Sequence, residues 1–216
     1  MGRNSGSSRE IGKTGNSSGR SFPEPFEYST IGDMKHKDTA KMLMKAVTKF
    51  QTTLGLPTRM VRIADLPKGV RGVMFPDSNT VYLDQKLFEQ PLSKVEEHFK
   101  KSRGMHGWDT RTSKQVRQVP THELAHAYWN SSQKDPKSLE MGKELRKLYR
   151  EYMRDGKKKG YGKYSHTNVD EFFAETTAAI VNPRYHDRTV NGVTTKARSN
   201  YYVDEVKKII KKYRGK

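Results

Sequence analysis

Residues 119–130 read VPTHELAHAYWN. Histidine is scarce in this chain, 7 of 216 residues, yet two of the seven sit four apart with Glu123 beside the first. The apolar residues of the stretch predict a helix, and on a helix positions four apart stack one turn above the other on the same face. His122 and His126 would then aim ring nitrogens at one point. Glu123, about 100° around the axis from His122, would reach a water there without becoming a ligand. Two metal ligands and a general base at this spacing make the HExxH arrangement of zinc hydrolases. The competing reading is a pair of ordinary histidines on a surface helix.

The chain contains no cysteine, so thiolate sites, disulfides and cysteine nucleophiles are absent and any metal must be held by His and carboxylates. A catalytic zinc wants three protein ligands and one open position. The extension HExxHxxGxxH is not met: Trp129 occupies the glycine position and Ser132 the third histidine position. A carboxylate from a second helix is the other solution. The stretch NVDEFFAETTAAI, 168–180, offers Glu171 and Glu175 on one face among Phe172, Phe173, Ala174, Ala178, Ala179 and Ile180. Two carboxylates on so apolar a helix are costly to bury without a cation. Glu171 is therefore read as the third ligand and Glu175 as the group that orients a ligand histidine through its other ring nitrogen. The alternative leaves both as surface charges.

Around this pair the chain reads as an α+β domain, residues 26–216, behind a disordered basic Gly/Ser-rich arm, residues 1–25. Helical spacing runs through 38–54, with Asp38 or Thr39 as cap, and through 87–101 and 139–155, and a basic amphipathic helix closes the chain. RMVRIADL (59–66) reads as a strand, and RGVMF and TVYL as a hairpin around the turn PDSN (76–79). GMHGWDTRTS (104–113) and GKKKGYGKYSH (156–166) read as loops, and Asn168 and Pro183 bracket the second site helix.

The 42 Lys and Arg against 24 Asp and Glu leave a net charge of +18. Such a chain suits anionic partners, nucleic acid among them, although no nucleic-acid motif accompanies the charge. No stretch is apolar enough to span a membrane and the first residues do not form a secretory signal, which points to a cytoplasmic location.

VPTHELAHAYW together with YSHTNVDEFFAET resembles the gluzincin class of toxin-like zinc peptidases, to which the catalytic domain of anthrax lethal factor belongs. The resemblance covers 119–130 and 164–180 and extends more weakly to GVMFPDSNTVYLD. It implies a zincin-like fold, with a small mixed sheet whose edge strand lies over the HExxH helix. It also implies one zinc per chain on His122, His126 and Glu171, cleavage of a protein or peptide substrate, and Glu123 as general base. Tyr164, seven residues before Glu171, then corresponds to a tyrosine that assists catalysis by hydrogen-bonding an oxyanion; without the resemblance it is an ordinary loop tyrosine. Thr80, Val81, Tyr82 and Leu83 correspond to the strand that pairs with substrate. A different class of function stays open beside it: a basic nucleic-acid- or virion-associated binding protein with an inactive zincin domain.

Overall fold

The computed structural model describes residues 26–56, 60–102, 115–133, 136–155, 163–183, 188–190, 193–195 and 201–214. The expected arm (1–25) and the expected loop 104–113 lie outside the described residues. The fold is mixed α+β. Strand β1 (Tyr28–Thr30) leads through a 3-10 turn into helix α1 (Lys37–Leu54). Strands β2 (Val61–Ala64), β3 (Gly72–Phe75) and β4 (Thr80–Asp84) follow. Helices α2 (Gln85–Phe88), α3 (Leu92–Ser102), α4 (Gln118–Ser132), α5 (Pro136–Arg154) and α6 (Val169–Val181) come next, then a hairpin, β5 (Arg188–Val190) with β6 (Val193–Thr195), and α7 (Tyr201–Tyr213). No helix among the described residues is long and apolar enough to cross a membrane.

Helix α1 buries Leu43, Ala46, Val47, Phe50 and Leu54 along one face and stops at Gly55, whose φ of 62° is left-handed backbone that a glycine adopts without strain. It begins one residue before the expected cap. Asp38 instead accepts the backbone N–H of Leu92 at 2.9 Å, tying the start of α3 to α1. The single helix expected over 87–101 is two, α2 and α3, broken at Pro91, which has no N–H to continue α2; its carbonyl accepts from Lys94 and Val95 instead.

The four-stranded sheet has the order β1-β2-β4-β3, with β2 and β4 parallel and the other two pairings antiparallel. Side chains alternate across it with the period of two that strands impose. Val61, Ile63, Val81 and Leu83 face the helices and belong to the main core. Tyr82 faces the other way, against Phe26 and Phe75, with ring centroids 5.6 and 5.7 Å apart in edge-to-face contact.

This topology corrects one expectation. Thr80–Leu83 is not an edge strand: β4 is paired on both sides, and Thr80, Val81, Tyr82 and Leu83 are all buried. The chain turns back at 76–79 and inserts β4 between β2 and β3, so the outer position falls to β3. Val81 N–H donates to the Met60 carbonyl at 3.0 Å. Proline at 81 removes that donor, and the orphaned carbonyl alone costs about 1–3 kcal/mol. Val81→Pro is expected to abolish the cooperative thermal unfolding transition, where an open edge would tolerate it.

Candidate metal centre

Helices α4 and α6 build the centre. Pro120 fits in the first turn of α4, where a backbone N–H has no helical partner to lose. Leu124, Ala125 and Ala127 are buried, which fixes the helix and leaves His122 and His126 on the flank that meets α6. There Tyr128 and Trp129 lie against the ring of Phe173, 6.1 and 5.5 Å between centroids, and Asn182 Nδ2 donates to Thr121 Oγ1 at 3.2 Å. Asn168 caps α6 by accepting the backbone N–H of Glu171 at 2.8 Å. The cap holds Glu171 in the first turn, where the helix dipole favours a carboxylate.

The three expected ligands are brought together. Nε2 of His122 lies 3.0 Å from Nε2 of His126 and 3.1 Å from Glu171 Oε2, which is 3.5 Å from Nε2 of His126. Atoms bound about 2.0–2.1 Å from one tetrahedral ion stand roughly 3.3 Å apart, so these separations outline one face of such a shell. Glu171 Oε2 is buried and accepts no well-formed hydrogen bond despite the two rings beside it. This His-His-Glu group could hold a metal ion.

Glu175 stands behind the ligands. Its carboxylate is almost wholly buried, with Oε1 2.9 Å from Nδ1 of His122. Accepting the Nδ1 proton keeps the Nε2 lone pair of His122 directed into the centre. Gln118 Nε2 donates to both Glu175 oxygens at 3.4 Å. Burial works against charge here, yet the carboxylates of Glu171 and Glu175 hold His122 well above the ordinary imidazole range. Burial likewise disfavours the Glu171 anion, but the two imidazoles beside it override that and pull its carboxyl far below the usual range. Glu123 keeps part of its surface open; its carboxyl lies deep enough that desolvation, partly offset by the two histidines, raises its pKa.

Tyr164 sits on a 3-10 turn, Lys163–His166, with its ring centroid 6.3 Å from that of His122 and its side chain part-exposed. The turn hangs from α5. Tyr152 Oη is 2.8 Å from Ser165 Oγ and 2.9 Å from His166 Nε2, and Tyr149 Oη donates to the His166 carbonyl at 3.0 Å. Trp129, at the position where the extended motif has glycine, packs on Phe173 and hydrogen-bonds Asp170.

Two residues of the site were not singled out in the sequence. Gln118 precedes His122 by one helical turn, so the same four-residue spacing pointed to it. Gly72 is the other. A Cβ placed there would stand 2.8 Å from Glu123 Cγ and 3.0 Å from Val119 Cγ1, so the missing side chain is what lets α4 lie so close to β3. The residues expected to bind substrate, Thr80, Val81, Tyr82 and Leu83, lie in the doubly paired strand β4, and it is β3 that meets Glu123, at Gly72.

Glu175→Ala should leave all three ligands in place yet weaken metal binding about 10–100-fold, because His122 loses the partner that fixes its ring and tautomer. Competition with a chromophoric chelator measures this; unchanged affinity would remove Glu175 from the site.

No family model, curated protein or solved structure matches this chain.

Proposed function

We propose that this protein is a zinc-dependent endopeptidase. The observation that carries the reading is the convergence of His122, His126 and Glu171 on one point with a further, part-buried carboxylate, Glu123, beside them. Two imidazoles and a carboxylate also suit iron(II) in oxygenases. Glu123 favours hydrolysis over that alternative, because a carboxylate beside the three ligands can accept the proton of an attacking water, which hydrolysis needs and oxygen activation does not.

His122, His126 and Glu171 would hold zinc, which when bound supplies Lewis acidity toward a scissile carbonyl and an attacking water. The chain's own groups supply the rest. Glu123 takes the proton of the attacking water on its carboxylate and later passes it to the departing amine. Tyr164, over the His122 ring, is the hydrogen-bond donor for the oxyanion. Glu175 and Gln118 keep His122 oriented throughout.

The edge strand β3 is the place for the substrate. Asp84 N–H donates to the Arg71 carbonyl, which makes 71–84, and by alternation 73–82 and 75–80, the hydrogen-bonded pairs of this ladder. The main-chain groups of Gly72 and Met74 therefore point outward, and no described strand pairs with them. An extended peptide added there would run beside Glu123, which Gly72 adjoins.

Glu123→Gln is expected to retain the metal while losing about 10²–10⁴ in kcat, measured on a mixed peptide library alongside metal analysis. Activity within a few-fold of the unaltered protein would sink the peptidase reading. Gly72→Ala, which crowds Glu123 without touching a ligand, should lower kcat/KM by up to about 10²-fold at full metal occupancy.

A further inference from the structure

The outward face of α1 carries Lys41, Lys45 and Lys49 at intervals of four, which places them in one row about 6 Å apart. Arg117, the residue before α4, closes the side of an open groove of about 440 Å³ along this row, with Met44 and Thr48 between the lysines. Like charges at this spacing disfavour the helix that carries them. Several lysines elsewhere face acids: Lys86 pairs with Asp65, Lys101 with Glu97, Lys143 with Glu140, Lys208 with Glu205 and Lys212 with Glu144. Among the described residues, no acid pairs with Lys41, Lys45, Lys49 or Arg117. Lys49 is part-buried, and burial together with the charge of Arg117 lowers its pKa. Four cations with no counter-charge among the described residues form a surface that an anion would complete.

We propose that this groove binds the phosphodiester backbone of a nucleic acid, the three lysines and Arg117 each neutralising a phosphate. A linear row suits a polymer with charges repeated along it better than a single small anion. An acidic peptide would meet the same row, but it would leave uncompensated the net charge of +18, which a long polyanion engages. Met44, 53% exposed, supplies an apolar contact for a sugar or base edge within the row. The proposal does not depend on the peptidase reading, because none of the groove residues belongs to the metal centre.

The test is fluorescence anisotropy of a labelled duplex DNA oligonucleotide with the full chain over a range of salt. Lys41→Gln/Lys45→Gln/Lys49→Gln is compared with Lys100→Gln/Lys207→Gln/Lys211→Gln, which removes the same charge from exposed sites off the groove. The groove variant should bind at least about tenfold more weakly at about 0.1 M salt. Its log–log salt slope should be shallower by about 0.9 for each lysine lost. The control variant should change both much less. Glutamine keeps helix propensity close to that of lysine, and thermal unfolding of each variant confirms that it is folded. Equal losses in the two variants would reduce the effect to general charge and overturn the proposal. So would an unchanged groove variant, or displacement of the oligonucleotide by polyglutamate of equal charge at equal concentration.

Discussion

A carboxylate buried in an apolar helix interface must find a cation or take up a proton, and Glu175 sets that condition for the whole molecule. With its neighbours Phe172, Phe173, Ala174 and Ala178 buried, α6 cannot turn Glu175 outward without exposing its packing face. His122 must therefore lie against it, which fixes the rotation of α4. That rotation brings His126 to Glu171, and it places Glu123 toward β3. The centre is the consequence of one compensation requirement met by two helices.

The sequence made this part legible because it contained a conflict. Glu171 and Glu175 on an apolar helix, and His122 and His126 on a helix with little polar surface to spare, are each awkward alone. Together they resolve each other, and the four-residue spacing gave their geometry. Asn168 and Pro183 were readable for a similar reason, since capping and helix termination are local chemistry.

What was not legible depends on pairing between distant residues. The hairpin 72–84 was clear from its turn, but which of its strands lies outside depends on β2 pairing with β4 across twenty residues of chain. The alternation of Thr80 and Tyr82 with Val81 and Leu83 looked half-exposed. Tyr82 is nevertheless buried, because Phe26 and Phe75 build a second small core on the far side of the sheet. Gly72 was silent for the same reason: a glycine tells that something approaches closely, and only the fold tells that it is Glu123.

The turn of that hairpin is bolted to the far end of α4. Asn79 Nδ2 donates to Ser131 Oγ at 2.7 Å, and Asn130 Nδ2 to the Pro76 carbonyl at 2.8 Å. Strand β3 is thus fastened to the helix at the turn and rests on it at Gly72, so the two behave mechanically as a single jaw. These contacts set the distance between Glu123 and the outward main-chain groups of β3. Tyr164, by contrast, rides on a short turn suspended from α5 by the hydroxyls of Tyr149 and Tyr152. Anything that pressed between the two would displace Tyr164 before it disturbed Glu123.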